Sequence, residues 1–306
     1  MSGAGVLFDA PGPRARRLSR ILSWISGVVL LGLVGWGIVI LNTPRESGGI
    51  ILPGMFDPSR WDILADPEFW QFVIFTGVWN TLRAALVAAV LAIALGVLLA
   101  LARSSSIAWV RVPTAILIEF FRGMPVLLMM LFILLVAGTG QYWAVVAALA
   151  VYNGALIGEA LRAGLASLPR GQREAALSVG MRPLQSKMLV EFPQAFRQML
   201  PIIVAQLVVL LKDTSLGYIV GYQELLRVTL NNLGSFYGNR YLFTLWCVAF
   251  VLYLIMNLSL SWFARWLAKR GDRRFHPGKT TLVDDPSQAI LLADATAEAR
   301  GGETRR

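Results

Sequence analysis

Long apolar runs, separated by short polar stretches, dominate the pattern of this 306-residue chain. Six of them are long enough to cross a bilayer core of about 30 Å as helices: 21–42, 70–102, a run within 112–137, another within 142–163, 199–220 and 241–264. The stretch 84–102 contains no polar residue. The pattern predicts an all-α membrane protein with six transmembrane helices. Arg14, Arg16, Arg17 and Arg20 stand before the first run, as in a signal peptide. That run is too long for a signal sequence and no small-x-small cleavage site follows it, so 21–42 is expected to remain as a span. Residues 43–69, with Pro44, Pro53, Asp57, Asp62, Asp66 and Glu68, form a polar loop, and 266–306 is a polar tail without periodicity, expected to be disordered.

Composition agrees. The chain is 56% hydrophobic and 15% charged, against about 25% charged in soluble domains. Its net charge of +10 could suggest nucleic acid, but the basic residues cluster beside apolar runs, as topology signals do. With the N-terminus inside, the inner segments 1–20, 103–111, 164–198 and 266–306 carry most of the Lys and Arg. The outer ones carry only Arg45, Arg60, Arg227 and Arg240. Both termini and the 164–198 loop are therefore expected in the cytoplasm, and 43–69 outside. The single cysteine, Cys247, excludes an intrachain disulfide, and the single histidine, His276, lies in the tail. No metal site and no catalytic constellation is expected. "PGKTT" at 277–281 ends like a phosphate-binding loop, but Arg273 stands where that loop requires glycine, so ATP binding by this chain is not expected.

The inner loop contains "REAALSVGMRPLQSKMLVEFPQAF", residues 173–196. Its pattern reads helix, break, helix. A first helix is expected over 168–179 with Pro169 in its first turn, Gly180 as a left-handed stop, and a second helix from Pro183 to an end at Pro193. Ala175 and Ala176 would leave a small-residue surface beside Glu174, open to close approach by a partner. From the residues alone, an amphipathic loop lying on the membrane surface fits as well. A DNA-reading helix-turn-helix is disfavoured because both ends are tied to spans.

"EAALSVG", followed by "FPQAF" and "LP", resembles the EAA loop of ATP-binding-cassette importer permeases. "EFFRGMPVLLMMLFI", "YNGALIGEALRAGLASLPRGQREAA" and "KDTSLGYIVGYQELL" are similar to the polar amino-acid uptake branch of that family. "LFDAPGPRARR" and the long first loop resemble the D-type permeases of actinobacterial glutamate importers. The resemblance implies a five-helix permease core over 70–265 behind an N-terminal anchor helix. It implies that Glu174, Ala175, Ala176 and Gly180 dock on a separate ATPase subunit that binds the ATP and Mg. It further implies a second permease subunit in a heterodimer, two ATPases, an extracytoplasmic substrate-binding protein, a cell-membrane location and glutamate as substrate. Glutamine or a basic amino acid is the alternative, and a channel or scaffold without an ATPase is the reading from another class.

Charges within the spans need partners or water. Glu119 and Arg122, and again Glu159 and Arg162, stand three apart and share a helix face, so each pair can neutralise itself or line a substrate path. Lys212 and Asp213 are adjacent and must point to different faces. With Asn80 and Asn153 they complete the candidate path residues. Gly217 and Gly221, four apart, are expected at a close helix contact.

Overall fold

The computed structural model describes residues 12–47 and 50–272. His276, the 277–281 motif and most of the expected tail lie outside them, as do residues 1–11. The chain forms helix α1 (Pro13–Asn42), an antiparallel hairpin of β1 (Arg45–Ser47) and β2 (Ile50–Leu52), and two short 3-10 turns, Pro58–Arg60 and Asp62–Ala65. Then come α2 (Pro67–Arg103), α3 (Ala108–Gly123), α4 (Val126–Val136), α5 (Gln141–Ser167), α6 (Arg170–Ser178) and α7 (Pro183–Tyr218). An irregular helical stretch, Arg227–Leu233 and Gly234–Tyr237, precedes α8 (Leu242–Asp272).

Five helices are long and apolar enough to cross a membrane, six if α3 and α4 count as one span. That pair corrects the third expected run. The axis bends by 101° between Gly123 and Val126. The cause is local: a residue before proline is pushed out of the helical region, and Met124, before Pro125, has φ −87° and ψ 130°. The first helix also starts at Pro13, earlier than the apolar run, because Pro suits a first helical turn and the arginines after it are good helix formers.

The core lies between α2 and α5. Ala84, Ala88, Ala92, Gly96 and Ala100 recur every four residues on α2 and are buried. They face small residues of α5. A β-carbon at Gly96 would stand 2.7 Å from the Ile157 side chain, and one at Gly158 would stand 3.0 Å from Cβ of Leu99. Without side chains at these points the backbones approach closely, and dispersion replaces the hydrophobic drive that lipid cannot supply. By contrast, none of the apolar window of α1 is buried, and Trp24 and Leu31 project away from the bundle. Its far end is tied back where the Met55 N–H donates to Leu41 O at 2.9 Å.

Pro193 does not end the second loop helix. A wide π turn, Lys187–Glu191, precedes it, with the Phe192 N–H donating to Lys187 O. The widened turn makes room for a ring that would clash in an ordinary helix, so α7 runs on from the loop into the membrane. Gly217 and Gly221 lie on either side of the end of α7 rather than in mid-helix, and a β-carbon at Gly221 would stand 2.8 Å from the Gln141 side chain of α5, so the expected close approach is made by the helix end. The helix ends there in a Schellman motif, the Tyr222 N–H donating to Gly217 O at 2.9 Å and the Gly221 N–H to Tyr218 O at 3.3 Å. Gly221 has φ +86°, which only glycine adopts cheaply.

Candidate functional site

Helix α6 carries the loop motif. It is shorter than expected, with Pro169 at the N-cap. Its end matches the expectation: Gly180 has φ +84°, the Gly180 N–H donates to Leu177 O at 3.0 Å, and the Met181 N–H donates to Ala176 O at 3.2 Å. These bonds satisfy the last carbonyls of the helix. Glu174, Ala175 and Gly180 are exposed, as are Arg173 and Arg182. Ala176 corrects the expected small-residue surface. It is 5% exposed and faces the chain, so its small side chain serves close packing within the loop.

Leu177, Val179, Leu184 and Leu189 are exposed beside Glu174 on the same polar segment. Apolar side chains open to solvent next to charged ones mark a surface for a partner. The segment is tied to the bundle by few side chains. The Lys187 ammonium donates to Ser104 O in the α2–α3 turn, and Gln194 Nε2 donates to Gln172 Oε1 at 3.2 Å.

The expected charged pairs form. Arg122 meets Glu119 at 3.1 Å, with Glu119 largely exposed. Arg162 holds Glu159 through Nε and one terminal nitrogen at 2.6–2.9 Å, a bidentate clasp with fixed geometry. Arg122 and Arg103 stand within electrostatic reach of Glu159, so these groups form one cluster. Lys212 and Asp213 are elsewhere, at the far end of α7, Lys212 exposed and Asp213 half-buried. Among the described residues neither makes an ion pair.

The two asparagines bind within the chain. Asn153 is fully buried; its Nδ2 donates to Leu149 O and its Oδ1 accepts from Gln206 at 2.8 Å, which joins α5 to α7. Asn80 donates to Gln223 O at 2.9 Å, and its own carbonyl accepts from the Tyr222 hydroxyl at 2.8 Å.

The opposite end of the bundle holds polar groups to which the sequence pattern assigns no partner. Glu224 is fully buried. Its carboxylate accepts the Leu226 and Arg227 N–H groups at 2.8 Å, capping the next helical stretch, and the Tyr253 hydroxyl at 2.6 Å. Burial pushes this carboxyl up to about 7 against the pull of those donors. Arg60 is 3% exposed and gives Nε and one terminal nitrogen to Pro53 O and the other to Arg240 O. Thr244 donates to Arg60 O, and Arg240 donates to Ser59 O. The Tyr237 hydroxyl donates to Asp66 at 2.6 Å, which holds Asp66 below the usual carboxylate range and pushes Tyr237 up to about 12. Arg83 lies over the Tyr142 ring at 4.8 Å. Only Asp66, N-cap of α2 just before Pro67, carried a local signal.

With this geometry, residues 92–273 match the family of binding-protein-dependent transport system inner membrane components. The chain is 36% identical over 255 residues to the glutamate transport system permease protein GluD of Corynebacterium glutamicum, covering 79% of this chain and 91% of that one. It is 31% identical over 202 residues to the probable glutamine ABC transporter permease protein GlnP of Bacillus subtilis, covering 64% and 93%. A solved amino acid ABC transporter, crystallised with histidines, superposes with a TM-score of 0.61 at 28% identity over 68% of this chain and 98% of that one.

Proposed function

The chain belongs to the family of binding-protein-dependent transport system inner membrane components, and on that premise we propose that it is the membrane-spanning subunit of an ATP-driven importer of glutamate. The observation that carries this reading is α6 with its Gly180 stop: a short helix fixed by backbone bonds, with its charged and apolar side chains turned outward. Such an element is a handle for a cytoplasmic partner. In this reading Glu174, Ala175 and Gly180 face an ATPase that holds ATP and Mg, Ala176 sets the seat of the helix, and both termini are cytoplasmic. A second permease subunit pairs with this one in a heterodimer, two ATPases bind below, and an extracytoplasmic binding protein delivers the amino acid.

Similarity to a glutamate permease over most of the chain supports glutamate as substrate, and similarity to a probable glutamine permease makes glutamine the second to test. The bidentate Glu159–Arg162 clasp, with Arg122 near it, supports a polar path on the loop side of the spans. The test is to purify the chain with its ATPase, second permease and binding protein in proteoliposomes and measure which amino acids raise the ATPase rate. Glutamate is expected to raise it most. A rate indifferent to every amino acid, with the complex intact, overturns the reading.

A further inference from the structure

Helix α3 crosses the end of the bundle instead of following it. It runs about 24 Å from Ala108 to Gly123. Ile118, 1% exposed, packs with Leu99 of α2 and Ala155 of α5. Leu99 stands four residues before Arg103, about 6 Å from the end of α2, so the ten residues from Ala108 to Ile118 gain little depth beside α2. Nine residues separate Trp109 from Ile118, about two and a half turns, which puts them on opposite faces. Trp109 is 91% exposed, and Val112, Ile116 and Phe120 continue its stripe in the open. A helix with one apolar stripe, a tryptophan near its start and charges on its other faces suits the boundary between headgroups and acyl chains.

Cations gather where α3 starts. Arg103 closes α2, and Arg111 lies one heptad before Ile118, on the side of α3 turned to the bundle. The Lys187 ammonium donates to Ser104 O in the turn between them, and Arg173 stands within its electrostatic reach. Glu191, which acts on Lys187, already accepts the Ser186 hydroxyl at 3.0 Å. Glu159, within reach of Arg103, is already clasped by Arg162. Among the described residues neither Arg103 nor Arg111 makes an ion pair. An apolar stripe thus borders a basic patch whose two arginines are unmatched by carboxylates of the chain.

We infer that α3 lies in the cytoplasmic leaflet as an interfacial helix and that Arg103 and Arg111 hold the headgroup of an anionic phospholipid, with Trp109 and its stripe seated among the acyl chains. The two features together select lipid. A soluble subunit would match the charge but leave Trp109, Val112, Ile116 and Phe120 facing water, whereas a bilayer covers them. From the importer reading above the inference takes only that the α6 end is cytoplasmic.

The experiment is native mass spectrometry of the purified permease–ATPase complex, titrated with phosphatidylglycerol and, separately, with phosphatidylcholine. A basic group near an anionic surface is worth roughly fivefold in binding, so the wild type should prefer phosphatidylglycerol by roughly tenfold or more. Arg103→Gln and Arg111→Gln should each cost roughly fivefold, and the double variant should lose the preference. Arg111→Lys, which keeps the charge, should retain most of it. Depth is measured on the same complex: a nitroxide attached through Ile116→Cys, in a Cys247→Ser background, should lie about 5–10 Å below the headgroups. No preference in the wild type, a preference undiminished in the glutamine variants, or a label at the bilayer midplane overturns the inference. So does loss of the ATPase from the double variant with lipid binding unchanged, which would make this a protein surface. Absence of glutamate-driven uptake by the wild type, with the lipid preference and depth as stated, overturns the importer reading and leaves the lipid site standing.

Discussion

At one end of the bundle Arg60, Asp66, Glu224 and Tyr237 give their polar atoms to partners far away in sequence, as Arg60 does to Arg240 and Glu224 to Tyr253. At the other end α6 holds its shape through backbone bonds at Gly180 and turns Glu174, Val179 and Leu184 to solvent. The first region satisfies most of its buried polar groups within the chain, the Nε atoms of Arg227 and Arg240 being the exceptions there among the described residues, so the chain itself largely determines its form. The second fixes its backbone but leaves its side chains unmatched, which is what an assembly surface requires. Stability and assembly are thus written into different ends of one subunit, and substitutions should separate them.

The largest effect on stability is expected at Arg60. Arg60→Ala removes three charge-assisted bonds to carbonyls and strands their acceptors, a loss of roughly 3 kcal/mol. Thermal unfolding in detergent checks it, and an unshifted midpoint would contradict the view of this end as self-sufficient.

Glu224 comes next and gives a pH signature. Its folded value near 7 lies above the ordinary 4.5, so between these values the folded chain binds more protons than the unfolded one. The unfolding midpoint should therefore fall as pH rises from about 4.5 to 7 and level off above. Glu224→Gln should flatten that slope; a scan across this window with both proteins decides.

Gly180→Asp is smaller in stability, on the order of 1 kcal/mol from the left-handed backbone. It should nevertheless release the ATPase, measured by co-purification, while the permease stays in the membrane. Glu174→Arg should move stability by less than about 0.5 kcal/mol and still lose the ATPase. If both variants keep the ATPase and transport normally, the outward face of α6 is not the docking surface.

Much of this was legible locally. Five of the six apolar runs announced an unbroken helix long enough to span, Gly180 followed by Pro183 announced a stop, and spacing by three announced the Glu119–Arg122 and Glu159–Arg162 pairs. Pro125 and Pro193 were harder, since proline breaks one helix and passes through another, as Pro113 and Pro201 also do inside α3 and α7. A π turn, such as the one at Lys187–Glu191, leaves no mark in the hydrophobic pattern. Gly217 and Gly221 fit a close contact by spacing, and Gly221 does approach Gln141 of α5, but the spacing did not reveal that α7 ends between them. Arg60 and Glu224 looked like ordinary loop residues because their meaning lies in partners that folding alone reveals.

The continuity of α7 through Pro193 has a mechanical consequence. A helix from Pro183 to Tyr218 is a rod of about 54 Å whose handle is the loop segment beside α6 and whose far end carries Lys212. A tilt of about 5° at the handle sweeps the opposite end through about 5 Å, close to one helical turn. Had Pro193 broken the rod, the same tilt would have been absorbed at the joint. Leverage in this subunit therefore depends on two prolines that leave the helix continuous, Pro193 after a wide turn of five residues and Pro201 further along.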